Sequence, residues 1–143
     1  MRGPKVTDMI PDGFAPHFRK SGLTDPWEPL YSRNTGEAIQ IGLRAGPAHA
    51  NSRGFVHGAL ISALADNAMG LSCGLSLRGT SGLVTVGLSL DFLSTARLGQ
   101  WLEIRPVVLK TGKNLCFSTA TIHADEGLCA RSNATFRALQ SAA

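Results

Sequence analysis

One segment constrains the fold more than any other: residues 54–77, GFVHGALISALADNAMGLSCGLSL, are almost all small or apolar. Asp66 is the only charged side chain within it when His57 is counted as neutral. Apolar residues occupy nearly every direction of a helical projection of residues 57–77, which predicts a long helix that is buried on most sides. The carboxylate at the centre of this helix is therefore the feature that most needs a physical reason.

The same carboxylate argues against a membrane-spanning role for the segment. A lone aspartate near the bilayer centre costs about 2.5–3.5 kcal/mol on insertion scales. The N-terminal sequence MRGPKVTDMIPDGF contains no apolar stretch of the kind found in signal peptides. The three cysteines form no CxxC pair, which argues against a disulfide framework or a zinc site. We therefore expect a cytoplasmic protein that does not insert into membranes.

Length and charge narrow the classes of protein further. The chain has 143 residues, enough for one domain, and its 14 lysines and arginines and 10 acidic residues are scattered. No basic patch is interleaved with aromatic residues, so we expect no nucleic-acid partner. Residues 1–29, rich in proline, glycine and charge, are predicted to be a lead-in segment with a short helix near residues 14–22 and packing contacts from Phe14, Phe18 and Trp27. Residues 30–143 form the single predicted domain.

The rest of the chain indicates strands joined by hairpins. Residues 30–34 and 37–45 are separated by Thr35-Gly36, and short turns separate three later stretches at 101–110, 114–124 and 128–139. Pro106 is expected at a sheet edge or a bulge because it has no amide hydrogen to donate. A hairpin, one apolar helix and about four further strands predict an α+β fold, in which an antiparallel sheet of about five to six strands wraps around one long central helix.

Residues 83–93 form the most regular of the predicted strands. Their side chains alternate between apolar and polar or small with a period of two. The period places Val84, Val86, Leu88, Leu90 and Phe92 on one face of the strand, and Thr85, Gly87, Ser89 and Asp91 on the other.

Two interpretations of Asp66 are open at this point. It could be a structural aspartate, satisfied by backbone amides or an arginine, or reaching solvent at the edge of the helix. It could instead be a catalytic base or nucleophile, since a residue in the middle of a helix cannot cap it and apolar surroundings would strip its hydration. Helical spacing gives it small neighbours and room on its own face (Ala59, Ser62, Ala63, Met69, Gly70 and Cys73), opposite a packing stripe of Leu60, Leu64, Leu71 and Leu75.

The predicted start of the helix favours the catalytic interpretation. The sequence NSRGFVHGA brings Asn51, His57 and Gly58 to a helix N-terminus, which offers unpaired backbone N–H groups and the positive end of the dipole. An oxyanion could form against the Gly58 N–H, where the lack of a side chain allows close approach. Taken singly, Asn51 is typical of a turn and His57 of a cap. Together they predict a carbonyl-binding site within reach of Asp66, about two turns along.

This arrangement resembles the hotdog-fold acyl-CoA thioesterases, and most closely their phenylacetyl-CoA thioesterase-like branch. The family pattern Asn-x-x-Gly-x-x-His-Gly-Gly, with an aspartate following later in the helix, is matched by Asn51, Gly54, His57, Gly58 and Asp66. The stretch VGLSLDFLSTARLGQWLEI is similar to the family strand that contains Phe-Leu-x-Pro-Ala. The resemblance covers residues 35–140 and implies the hotdog fold, hydrolysis of an acyl-CoA, and homodimers that often pair into tetramers with active sites between subunits.

The resemblance also implies roles for individual residues. Asp66 corresponds to the general base or nucleophile, and Gly58 to the backbone N–H that polarises the thioester carbonyl. Asn51 orients the carbonyl or the water, His57 shapes the loop, and Thr85 holds the water from the partner subunit. The predicted acyl pocket lies beside Ala59, Ala63 and Met69, while the predicted contacts with the CoA phosphates are Arg97, Lys110 and Lys113. Neither a cofactor nor a metal is implied.

Two departures from the family pattern and three alternatives remain. Ala59 replaces the second glycine and Thr95 the usual proline, but neither change removes the chemistry. The His-x-Phe-Pro signature of hotdog dehydratases is absent, which argues against dehydration. The chain could instead bind acyl-CoA as a sensor without hydrolysis, catalyse a hydration, or act on acyl-carrier-protein thioesters. The residues alone do not define the length of the acyl chain.

Overall fold

The computed structural model describes residues 9–77 and 80–140. In chain order, the described elements are β1 (Ala15–Pro16), β2 (Tyr31–Asn34), β3 (Ile39–Arg44), α1 (Gly58–Ser76), β4 (Thr80–Phe92), β5 (Trp101–Thr111), β6 (Leu115–Ala124) and β7 (Gly127–Gln140). The first eight residues of the predicted lead-in segment and the last three of the predicted domain lie outside the described residues. No helix in the described part of the chain is long and apolar enough to cross a membrane.

All seven strands pair antiparallel in one sheet, in the order β1-β2-β3-β5-β6-β7-β4. Helix α1 lies against one face of this sheet and contacts strands β3 to β7. The predicted α+β arrangement, an antiparallel sheet around one central helix, is therefore confirmed. The sheet has seven strands where five to six were expected, because β1 adds a short strand at one edge.

The predicted short helix near residues 14–22 is wrong. Ala15 and Pro16 pair with Ser32 and Tyr31 of β2, and the next backbone N–H, that of His17, donates to the Leu30 carbonyl at 2.9 Å. A residue before proline is disfavoured in the helical region, and proline is tolerated in an edge strand, so both preferences favour the strand. The lead-in segment thus runs along the sheet.

Two of the three aromatic contacts predicted for the lead-in segment are present. Phe14 packs edge-on against Trp101, with the ring centroids 5.2 Å apart, and Trp27 is partly buried against the core. Phe18 is different, because 65% of its surface is exposed. Its predicted packing role is therefore wrong within this chain, and its apolar ring faces solvent.

The long helix agrees with its prediction almost to the residue. It spans Gly58–Ser76, and His57 is the N-cap, because its Nδ1 accepts a hydrogen bond from the Ala59 N–H at 2.9 Å. The Ser62 hydroxyl donates to the Gly58 carbonyl at 2.8 Å and secures the first turn. The apolar segment is a helix because its side chains supply both the cap and the buried face.

The buried face of α1 is rotated relative to the prediction. Met69 and Cys73, expected beside Asp66 on the open face, are fully buried in the core, whereas Leu75 of the expected packing stripe is 41% exposed. Eight helix residues are buried: Leu60, Ile61, Leu64, Ala65, Ala68, Met69, Ser72 and Cys73. The remaining face carries Ala59, Ala63, Asp66 and Gly70, so the small-residue surface around the carboxylate is present without Met69 and Cys73.

Strand β4 does not keep the regular alternation that its sequence suggests. Its register with β7 shifts between Thr85 and Gly87, so that Thr85 pairs with Phe136 and Gly87 with Thr135, leaving Val86 as an extra residue. This β-bulge reverses the phase of the strand. Thr85 therefore lies on the helix side together with Leu88, Leu90 and Phe92, and the prediction that all five apolar residues share a face is wrong.

The cysteines also depart from expectation. Cys73 of α1 and Cys116 of β6 form a disulfide with a Cα–Cα distance of 6.1 Å, and Cys129 is a buried free thiol. The expectation of unpaired cysteines is wrong, because a core position on the helix and one on a facing strand come together only through the tertiary fold. The disulfide joins the helix to the middle of the sheet.

The hairpins and the position of Pro106 follow the predictions. β2 pairs with β3, β5 with β6 and β6 with β7 in antiparallel hairpins. Pro106 pairs with Ala120 on β6, and the pairing of β5 with β3 runs from Trp101 to Ile104, so it stops before the proline. Pro106 thus occupies a position where one side of the strand is free, as its missing N–H requires.

Candidate active site

Asp66 and Thr85 form the central polar contact of the site. The Thr85 hydroxyl donates a hydrogen bond to a carboxylate oxygen of Asp66 at 2.7 Å, joining the middle of α1 to the bulge of β4. The sequence placed Thr85 in the partner subunit, and this expectation is wrong, because the contact lies within one chain. A short charge-assisted bond of this kind holds the carboxylate in one orientation and leaves its second oxygen open to another ligand.

The carboxylate is less enclosed than its sequence surroundings suggest. Asp66 is only partly buried, and Thr85 is exposed. The helix meets the core through its opposite face, so Asp66 stands at the boundary between the core and the surface. The apolar residues around it in sequence therefore do not desolvate it in the single chain.

The start of α1 forms a second polar group of predicted residues. The Asn51 side-chain oxygen accepts the N–H groups of Arg53 and Phe55 at 2.9 and 3.1 Å and shapes the loop before the helix. Gly54 occupies the turn with a φ of 83°, a conformation that glycine tolerates. Since the His57 imidazole caps the Ala59 N–H, the preceding Gly58 N–H is available at the N-terminus of the helix.

Close packing favours glycine at the first position of the helix. A Cβ atom at Gly58 would lie 3.1 Å from the ring of Phe92, closer than side chains normally approach. Phe92 is 54% exposed, so its ring covers the helix start on one side and faces solvent on the other. From the sequence alone, Gly58 was explained only by the close approach of a substrate. Its packing against Phe92 is a second reason, and it lies within the chain itself.

The two polar groups are not close to each other within one chain. Asp66 is eight positions after Gly58, and an α-helix rises about 1.5 Å per residue, so the two are about 12 Å apart along the axis. A single thioester carbonyl cannot contact the Gly58 N–H while its carbon lies beside Asp66 of the same chain. The expectation that the helix start is within reach of the carboxylate is therefore wrong for one chain.

A cleft of about 750 Å³ opens beside Asp66 and Thr85. It follows α1 toward the C-terminal end of the helix, past Asn67, Gly70 and Gly74, and not toward Ala59. Its far wall comes from the lead-in segment: His17, Phe18, Arg19, Lys20, Ser21 and Thr24. This wall is not predictable from the sequence, because no local pattern links these residues to a helix some 50 positions away.

His17 is the one buried titratable group in that wall. It is 5% exposed, and its Nδ1 has no hydrogen-bond partner among the described residues. Loss of hydration lowers the pKa of His17 below its ordinary value, an effect that Glu28 opposes and Lys20 and Arg19 support. The neutral imidazole thus adds little charge to the cleft.

The remaining predicted substrate contacts lie in several places. Ala59 is exposed and Ala63 partly exposed on the open face of α1, whereas Met69 is fully buried in the core. Arg97 pairs with Phe55 in an isolated bridge, which puts it next to the helix start. Lys110 lines a separate cleft of about 530 Å³, and Lys113 is exposed in the turn between β5 and β6. None of these residues lines the cleft that contains Asp66.

Comparison with known proteins gives concordant results. A model of the thioesterase superfamily matches residues 53–130. A Pseudomonas aeruginosa protein named as an esterase is 38% identical over 128 residues, which cover 89% of this chain and 96% of that protein. Human acyl-coenzyme A thioesterase 13 is 35% identical over 74 residues, 52% of each chain, so the match spans about half of that relative.

A solved structure shows the same fold. The crystal structure of a Bacillus halodurans protein with CoA superposes with a TM-score of 0.70 at 24% identity, covering 78% of this chain and 74% of that one. A likeness at this level of identity concerns the fold, which is the hotdog arrangement of a helix within an antiparallel sheet.

Proposed function

The chain belongs to the thioesterase superfamily and is a thioester hydrolase, and on this premise we propose that it hydrolyses acyl-CoA thioesters to a free acid and CoA. The observation that carries the proposal is the Thr85–Asp66 hydrogen bond of 2.7 Å inside a cleft. Two similar proteins also support the proposal: human acyl-coenzyme A thioesterase 13, and the Bacillus halodurans protein, whose crystal structure was determined with CoA. We assign to Asp66 the role of activating the group that attacks the thioester carbon.

In the proposed reaction, Asp66 removes a proton from a water molecule held between its free oxygen and the thioester carbon. The water oxygen bonds to that carbon, and the carbonyl electrons move to the oxygen. Collapse of the tetrahedral intermediate breaks the C–S bond, and the proton on Asp66 passes to the departing thiolate. Direct attack by Asp66, with later hydrolysis of the mixed anhydride, remains the second route.

We assign the oxyanion site to a second copy of the chain. The Gly58 N–H lies about 12 Å from Asp66 along the helix, so one chain supplies only half of the chemistry. A twofold dimer could bring the carboxylate of each chain to the helix start of the other and form two equal sites. The partner's Gly58 N–H and helix dipole would then stabilise the oxyanion, an effect worth roughly 2.7–4 kcal/mol for one such donor.

Strand β4 is the surface that we assign to this dimer. It pairs with β7 on one side only, and 13 residues of exposed strand edge are an aggregation hazard unless another chain covers them. Leu88 and Phe92 on its helix side are 40% and 54% exposed, as expected for apolar residues that await a partner. Burial of this region would also remove water from Asp66.

The dimers are proposed to pair into a tetramer through the outer face of the sheet. Val107, Leu109, Leu115 and Phe117 are 38–62% exposed on the strands β5 and β6. The outer face of an antiparallel sheet is normally polar when it meets solvent. Light scattering should give a mass of four chains, and Phe117→Lys should yield dimers that keep their activity.

The cytoplasmic location remains a prediction from the sequence.

The catalytic assignment is tested with Asp66→Asn on a panel of acyl-CoA thioesters, by following thiol release. Loss of the base should lower kcat by at least about 100-fold. Asp91→Asn is the matched control, because Asp91 is an exposed carboxylate of β4 that also accepts a hydrogen bond, from Arg131 at 2.9 Å, and lies outside the cleft. Unchanged turnover in Asp66→Asn would refute the assignment.

A mixing experiment tests the shared site. Asp66→Ala and Asn51→Ala should each be inactive as homodimers, but a mixed dimer would contain one intact site. Random exchange of subunits should restore about a quarter of wild-type activity, since half the dimers are mixed and each carries one site of two. If both residues act within one chain, mixing restores nothing.

A further inference from the structure

We propose, resting on the function above, that the acyl group is a linear chain that lies along α1 from Asp66 to Gly74, and that the absence of a side chain at Gly74 keeps the far end of this groove open to it. The cleft beside Asp66 extends in this direction only, since it passes Gly70 and Gly74 and does not include Ala59 or Ala63. The acyl pocket thus lies along the C-terminal half of the helix.

Two glycines, four positions apart on α1, form the floor of this groove. Asp66, Gly70 and Gly74 follow one another at intervals of four, so they lie on one face of α1 with the carboxylate at one end. A Cβ atom at Gly70 would lie 3.2 Å from the buried Phe136 ring, so the groove is tight there. At Gly74 a Cβ atom would meet nothing within 4 Å, so the space beyond it is open.

Part of the groove wall is apolar and incompletely covered, while polar side chains such as Arg19, Ser21 and Asn67 line the rest. Leu71, Leu75 and Leu83 line it on the helix and strand side, and Phe18 lines it from the lead-in segment. Phe18 is 65% and Leu75 is 41% exposed, so apolar surfaces face the same cleft without a protein partner. A hydrocarbon chain is the occupant that would remove the most apolar surface from water.

The pantetheine arm of CoA is the competing occupant of this groove. It carries two amide groups, and burying them without hydrogen-bond partners would oppose binding. Polar side chains of the lining, such as Ser21 and Asn67, are the groups that could bond to these amides. The dependence of turnover on acyl-chain length separates the two occupants.

The distance from Asp66 to Gly74 sets how long an acyl chain must be to reach the open end. Over these residues the helix rises about 12 Å. An extended alkyl chain advances about 1.25 Å per carbon, given a C–C bond of about 1.5 Å at a tetrahedral angle. A chain of roughly eight to ten carbons therefore reaches Gly74, and medium-chain acyl-CoA is the substrate class that we assign.

Gly74→Leu is the decisive variant, assayed as kcat/KM on saturated acyl-CoAs from two to twelve carbons. The added side chain should lower kcat/KM by at least about 10-fold for chains of eight and ten carbons, and by less than about 2-fold for two and four carbons. Gly74→Ala should give a smaller loss in the same direction. Ser76→Leu, the same side chain on another face near the helix end, should leave the profile unchanged.

Three results would contradict the proposal. An equal loss at every chain length would mean that the groove does not hold the chain. A weaker inhibition by free CoA with an unchanged profile would place the pantetheine arm there instead. Wild-type hydrolysis of acyl-CoAs with no dependence on chain length would refute this inference and leave the proposed function intact, whereas no hydrolysis by the wild type would refute both.

Discussion

The same groove makes a sharp prediction about stability, because its two glycines differ in their surroundings. In the middle of a helix, glycine is less favourable than alanine by about 0.5–1 kcal/mol, since the unfolded chain loses more conformational freedom. Gly74 is exposed in the last turn of α1, and a Cβ atom there touches nothing within 4 Å, so Gly74→Ala should gain up to that amount. For a chain of this size the gain corresponds to a rise in Tm of roughly 1–4 °C.

Gly70→Ala provides the matched comparison at the same helical spacing. Its Cβ atom would lie 3.2 Å from the ring of Phe136, which is 2% exposed and held in the core. Overpacking of this kind costs about 1–3 kcal/mol, so it cancels or exceeds the gain in helix propensity. The free energy of unfolding should therefore rise for Gly74→Ala and stay level or fall for Gly70→Ala.

Urea denaturation at one fixed protein concentration measures both variants, because association of subunits would otherwise change the apparent stability. The midpoint should move while the m-value stays constant. Equal stabilisation by the two substitutions would refute the packing argument at Gly70, and a lower midpoint for Gly74→Ala would refute the open space at Gly74. Together with the chain-length assay, Gly74→Ala should be more stable and less active on long chains.

Three further predictions concern the site, the cysteines and the lead-in segment. Thr85→Val removes a hydrogen bond to the charged Asp66, worth about 1.5–3 kcal/mol, and should lower kcat/KM by roughly 10- to 100-fold, whereas Thr85→Ser should keep most activity. Burial raises the pKa of the Cys129 thiol, so a thiol reagent should label no cysteine in the native chain. It should label one cysteine after unfolding and three after unfolding with reduction of the disulfide. Fast labelling of the native chain would contradict this prediction. Since burial lowers the pKa of His17, the unfolded state binds its proton more readily, and stability should be full above about pH 6.5 and fall as the pH drops below it. His17→Gln should remove that part of the pH dependence, and an identical pH profile in the variant would show that His17 does not contribute.

The helix and its carboxylate were predictable because both leave a local pattern. A run of apolar residues longer than a strand, a histidine before a glycine, and one charge in the centre are visible without any knowledge of the fold. The bounds of α1 differ from the prediction by one residue at each end, because His57 and Leu77 are its caps. Asp66 was found because a charge within an apolar segment is improbable without a role.

What the sequence did not reveal depends on contacts between distant residues. The wall formed by His17 and Phe18 has no local pattern, and the phase of β4 changes at one extra residue that looks regular in sequence. The packing phase of α1 was misjudged for Met69, because apolar residues on all sides leave no stripe to orient the helix. The pairing of Cys73 with Cys116 likewise arises only when α1 lies across β6.

The bulge at Val86 has a consequence for how this enzyme can change over evolutionary time. An extra residue bends and twists its strand locally, and this bend brings Thr85 toward the helix while Leu88 keeps its place in the ladder. Thr85 and Leu88 are three positions apart, so a regular ladder through Val86 would put them on opposite faces of the strand and turn the Thr85 hydroxyl away from Asp66. Every polar residue of the site would still be present in such a chain. A substitution that lets Val86 join the ladder would therefore be as informative about lost activity as a substitution of Asp66.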